Sequence, residues 1–286
     1  MSDGTRPLDA RVRPPYREFV NMMNFDPGMK DSPTRHGVSE PPRSFVARSM
    51  DAFVTELDDA GIEKALVMGR HSAPQYGFIP NESLVEMRKE YPDRFWVFGG
   101  VGEPTVRQSV DEVQRCLDDH GFEGIAVDPG WSDPPLRPDA PELYPIYALC
   151  EQRQVPVSVT MSIFLGPDIS YADPTAIQRV AASFPDLKII VVHGAWPWVT
   201  QMLGVAFRHR NVWLLPDFYM HIPRMPAAQQ FVDAANYYLG DRLLYGSAYP
   251  ARPVGQSLEE FRALPLEPEV LEKCTGGNLR RLLGGK

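Results

Sequence analysis

Cysteine is scarce: Cys116, Cys150 and Cys274 are the only three in 286 residues, widely spaced and odd in number. That spacing excludes a disulfide framework and the paired pattern of a zinc finger, and it suits a reducing, cytoplasmic setting. Histidine is also sparse, and its six residues include no His-x-His or His-x3-His pair. The linear signature of a metal site is therefore missing. Positive charge is in deficit, with 29 Lys and Arg against 37 Asp and Glu and a formal net charge of −8. A nucleic-acid partner would call for a basic face, so none is expected. No apolar run approaches the roughly 18 residues of a membrane span, and the first residues lack a signal-peptide core. A membrane partner is not expected either. What the chain has in quantity is proline, 29 residues clustered at places such as Pro14-Pro15, Pro41-Pro42 and Pro134-Pro135. Rigid, ordered connections follow from that clustering.

The stretch Leu187 to Trp198, LKIIVVHGAWPW, organises the rest. Its apolar run reads as a strand buried on both faces, and it stops at His193-Gly194. Similar runs occur at Leu8–Val12, Lys64–Met68, Phe95–Val101, Gly124–Val127, Val155–Met161, Val212–Leu215 and Leu243–Tyr245. Helical spacing separates them, from Ser44, a plausible N-cap, to Gly61, from a cap at Asn81 through Tyr91, at Val106–His120, Leu143–Gln152, Pro174–Phe184, Trp198–His209 and Ala227–Leu239. Ser257–Ala263 and Pro268–Leu283 read as closing helices. Eight strands alternating with helices predict an α/β fold, a single (β/α)8 barrel of the TIM type spanning 1–286, with a long loop at about 14–43. An open doubly wound sheet is disfavoured, because no Gly-rich phosphate loop follows the first strand.

In such a barrel chemistry belongs at the strand C-termini. His193 ends the sixth strand and is the first candidate for general acid and base; Asp217, ending the seventh, is the second catalytic candidate. Arg11 and Arg13 lie two apart on the first strand and share a face, a ready fork for a carboxylate. Structural ion pairing with Asp9 or another barrel acid is the competing reading. Arg70, His71, Asp128 and Thr160 are substrate-binding candidates by position, and Trp196 and Tyr219, with Trp131 and Phe218, could wall a planar ligand. No cofactor is expected. A metal site assembled from Asp128, Asp217, His71 and His193 is the disfavoured alternative.

The stretches NESLVEMRKEYPDRFWVFGGV, GFEGIAVDPGW, LYPIYALCEQRQVPVSV, LKIIVVHGAWPW, RLLYGSAYP and GNLRRLLG resemble the amidohydrolase superfamily. The resemblance is to the branch of aminocarboxymuconate-semialdehyde decarboxylase and pyrone-dicarboxylate lactonase. It implies metal ligands at first-strand His-x-His, a fifth-strand histidine, a sixth-strand histidine and an eighth-strand aspartate. The matching positions here are Arg11 and Arg13, Thr160, His193 and Ala248. Only His193 is retained. The expectation is therefore a metal-independent hydrolase of a small planar or unsaturated carboxylate such as a lactone, with a lyase such as a decarboxylase or hydratase as the alternative. A catalytically silent ligand-binding barrel is the third reading. The sequence neither requires nor excludes a homo-oligomer.

Overall fold

The computed structural model describes residues 6–26, 28, 32, 35–38 and 40–284. Seven strands, β1 Leu8–Val12, β2 Lys64–Met68, β3 Phe95–Gly100, β4 Gly124–Val127, β5 Val157–Thr160, β6 Ile189–Val192 and β7 Val212–Leu215, form one sheet in sequence order. The pairs β1–β2, β3–β4, β4–β5, β5–β6 and β6–β7 are parallel. β4 to β7 are buried at every position, as near-continuous Val, Ile and Leu runs require when both faces of a sheet are covered. Helices return the chain between successive strands, and this order is that of a TIM-type α/β barrel.

The expected eighth strand, Leu243–Tyr245, is not a regular one. Its segment meets β1 through Ala10 N donating to Tyr245 O and Arg13 N to Tyr249 O, both 2.9 Å, and an isolated parallel bridge joins Val12 to Tyr249. Between these contacts Ala248 N donates to Arg11 O at 3.0 Å, and a side chain supplements the ladder. Asp9 Oδ1 accepts the amides of Ser247 and Arg11, each at 3.0 Å. The register of β1 against β2 also shifts between Asp9 and Val12.

Helix boundaries differ from expectation where side chains take other partners. The helix expected from Ser44 to Gly61 is two, α1 Arg43–Ala47 and α2 Met50–Asp59. Arg48 between them is left-handed, and Ser49 caps the second by accepting from Ala52 N. Ser44 is no cap: its hydroxyl lies 2.6 Å from both Glu56 Oε2 and the Tyr249 hydroxyl. Asn81 is the first residue of α3 Asn81–Glu90 and exchanges two 2.9 Å hydrogen bonds with the backbone of Gly100. The long loop expected at 14–43 lies partly outside the described residues. Its described part contains short turns at Arg17–Asn21 and Met23–Phe25, anchored by buried Phe19, Met22 and Phe25. Among the described residues no helix is long and apolar enough to cross a membrane.

The chain divides into two compact units. One holds Met1–Val67, Met87–Trp96 and Pro216–Lys286, the other Met68–Glu86 and Val97–Leu215. In the first, Phe53 stacks with Phe95 and lies 4.4 Å, centroid to centroid, from Tyr249. In the second, Gly69 and Gly100 let the ends of β2 and β3 approach. A Cβ on Gly100 would fall 2.6 Å from Arg70 N. This close approach sets Arg70 and His71 beside the loop that follows β3.

Candidate functional site

In the first unit, Arg11 is buried on β1 and donates from Nη1 to Asp217 Oδ2 at 2.6 Å, both side chains at most 2% exposed. Asp217 follows β7 directly after Pro216, with a φ of +55°. Left-handed backbone at a non-glycine residue is costly and clusters at functional positions. Burial pushes the Asp217 carboxyl up to about 6, against the opposing pull of the Arg11 and Arg13 guanidinium charges. Asp9, fully buried, is pushed by burial to about 7, and its Oδ2 has no hydrogen-bond partner. Tyr219 is raised to about 12 by burial, reinforced by the charge of Asp217. The group therefore offers an acid that titrates near neutrality, set among guanidinium charges that suit an anion.

In the second unit, Arg70 Nε donates to Asp128 Oδ2 at 3.1 Å, and its guanidinium carbon lies 3.9 Å from the centre of the Trp131 ring. Arg70 is thus held by charge on one side and by an aromatic face on the other. His71 Nδ1 sits 2.5 Å from Glu103 Oε1, with Phe78 stacked on the imidazole at 4.3 Å. His71 Nε2 is buried without a hydrogen-bond partner. A cavity of about 700 Å³ is lined by His71, Glu103 and Asp128 with apolar walls such as Phe78, Val127 and Leu143. That size and lining suit a small-molecule pocket. Thr160 ends β5, buried and in register with Val192. His193 follows β6, buried, with a φ of +66°, and its carbonyl accepts from Trp196 N at 3.1 Å.

Of the residues singled out in the sequence, the structure joins Arg11 to Asp217 and sets Arg13 and Tyr219 in the field of that pair. It joins Arg70 to Asp128. Sequence reasoning missed Glu103, Glu112 and the acid character of Asp9. Glu103 was within reach of the strand-end rule, since it stands three residues beyond β3. The sequence places Asp9 on the first strand as an ion-pair partner for Arg11 and Arg13, and its raised carboxyl carries no signal of its own.

The family profile of the amidohydrolases matches residues 14–285. The gamma-resorcylate decarboxylase of Rhizobium sp. strain MTP-10005 is 25% identical over 283 residues, covering 82% of this chain and 84% of that protein. The structure of an uncharacterized TIM-barrel protein, Bb4693 from Bordetella bronchiseptica, is similar at 36% identity and a TM-score of 0.92, covering 98% of this chain and 99% of that one. A dihydroxybenzoic acid decarboxylase from Polaromonas sp. JS666, described with bound manganese and the inhibitor 2-nitroresorcinol, shares the fold at 17% identity and a TM-score of 0.68, covering 98% and 97%.

These findings overturn the expectation of a metal-independent, lactonase-like hydrolase: the Rhizobium relative is named a decarboxylase, and the Polaromonas decarboxylase is described with bound manganese. The strand-end positions of this chain still do not fit such an ion. Arg11 is a donor committed to Asp217, and Ala248 presents a methyl group. Loss of ligands at those positions does not make the protein metal-free, because a different donor set exists in the second unit. Imidazole and carboxylate atoms of His71, Glu103 and Glu112 lie within 4.8 Å of one another. By the extent of the profile match and the similarity to Bb4693, the chain belongs to the amidohydrolase family of enzymes.

Proposed function

We propose that the protein is a carbon–carbon lyase that decarboxylates a small planar carboxylic acid. Asp217 carries this reading: it is a buried carboxyl pushed up to about 6, hydrogen-bonded to Arg11 and in the field of Arg13. Loss of CO2 from an aromatic or unsaturated acid requires a proton at the carbon that bears the carboxylate, or the departing bond leaves a carbanion. Asp217 in its acid form donates that proton. The new C–H bond forms, the bond to the carboxylate breaks, its electron pair returns to the π system, and CO2 departs. Asp217, now a carboxylate stabilised by Arg11, regains a proton from water. In sum, one carboxylate and one proton give one C–H compound and one CO2. Arg13, two residues from Arg11 on β1 and acting by its charge on Asp217, is the anion-binding arm. The decarboxylase names of the relatives support this substrate class. His193 is the second candidate for proton transfer, on its position after β6 and its left-handed backbone.

The test is Asp217→Asn, which keeps size and an acceptor for Arg11 but cannot donate an acid proton. With the acid that the wild type turns over, kcat should fall roughly 100- to 10,000-fold while ligand affinity changes little. If Asp217→Asn retains kcat within a few-fold and His193→Asn does not, the proton donor is His193.

A further inference from the structure

The geometry points to a divalent-cation site formed by His71, Glu103 and Glu112 at the edge of the 700 Å³ cavity in the second unit. One imidazole nitrogen and two carboxylate oxygens are a ligand set that suits Mn²⁺ or Zn²⁺, and three protein donors leave a position open to a small ligand.

Three observations carry the inference. The first is proximity: one ligating atom from each residue lies within 4.8 Å of the other two. The second is charge. Glu103 and Glu112 bring two carboxylates to the cluster, and the guanidinium paired with Glu112, that of Arg115, is shared with the exposed Glu82. Glu112 and His71 are buried and Glu103 is only partly exposed. Two carboxylates drawn together in a largely buried cluster, with one shared guanidinium against them, favour a cation there. The third is His71 itself, over nine-tenths buried and turned to the carboxylates through Nδ1, 2.5 Å from Glu103 Oε1, which makes that nitrogen the imidazole donor of the site.

The surroundings also resemble the outer support of a metal site. Glu112 is oriented by Arg115 at 2.8 and 2.9 Å and by Asn81 Nδ2 at 2.5 Å, and Glu103 Oε2 accepts from Gly102 N at 3.0 Å. Such contacts hold ligating carboxylates in place. Among the described residues the cavity is lined by Glu103, Asp128, Asp133 and Glu142 and by no lysine or arginine, with Arg70 paired to Asp128.

Chelator-treated protein is titrated with Mn²⁺, following free Mn²⁺ by electron paramagnetic resonance, and separately with Zn²⁺ by calorimetry. One ion per chain should bind. Glu103→Gln, which preserves shape, and His71→Ala should each weaken binding more than roughly 100-fold, above the cost of losing an outer contact. His193→Ala should leave it intact. In the unsubstituted protein, bound Mn²⁺ should show coupling to an imidazole nitrogen, a reading that depends on no variant folding. Absence of binding at millimolar Mn²⁺ and Zn²⁺ overturns the site. So does binding that survives Glu103→Gln and His71→Ala but is lost in His193→Ala.

Discussion

Replacing Asp9 with Asn should make the protein more stable, and increasingly so as pH rises. Asp9 is fully buried, its Oδ1 is held by two amides, and its Oδ2 has no hydrogen-bond partner. Burial raises its carboxyl from 3.8 to about 7. The folded state therefore binds this proton more tightly than the unfolded chain does. The associated stability is fully present below about pH 4 and is lost as pH rises through about 7. At about 1.4 kcal/mol per pH unit, the rise corresponds to on the order of 4 kcal/mol between those limits. Asn keeps the Oδ1 acceptor and never ionises, so the variant escapes the loss. Urea unfolding of both proteins at pH 4, 6 and 8 should show the advantage of Asp9→Asn growing by roughly 3–4 kcal/mol across the series, with the denaturant slope unchanged. A difference independent of pH would refute the assignment of a buried, near-neutral acid at this position.

On the proposed mechanism protonated Asp217 is the donor, so kcat/KM should fall about tenfold per pH unit above about 6. Arg11→Met removes a charge that holds the Asp217 carboxyl down, so this descending limb should move to higher pH in a pH–rate profile. Arg13→Lys should weaken binding of the acid by about 1.5–3 kcal/mol, seen as a higher KM, since a point charge does not reproduce a bidentate fork. Unchanged KM would make Arg13 structural.

Much of the fold is legible in the sequence because the strands from β4 to β7 are buried at every position and are written almost without charge, β6 in unbroken Ile and Val. The same runs locate His193, Asp217 and Asp128 at strand ends. What they do not encode is partnership across the chain. Arg11 meets Asp217 over a separation of 206 residues, and no local spacing distinguishes that acid from Asp9 or Asp128. The left-handed backbone at His193, Asp217 and Ala248 is equally silent, since none is a glycine. Ser44 and Asn81 look like caps because their side chains favour backbone amides. Tertiary partners on Tyr249, Glu56 and Gly100 take them instead. Glu103 gains significance only through its contact with His71.

The most direct test of the account is isotopic. The purified protein is incubated in D2O with a panel of hydroxybenzoic and related planar acids carrying ¹³C in the carboxyl group, and followed by NMR. Decarboxylation predicts release of ¹³C as CO2 and bicarbonate, with one deuterium at the carbon that lost the carboxylate, and both signals should collapse in Asp217→Asn. Turnover that retains the labelled carboxyl group, or labelled CO2 release undiminished in Asp217→Asn, would contradict it.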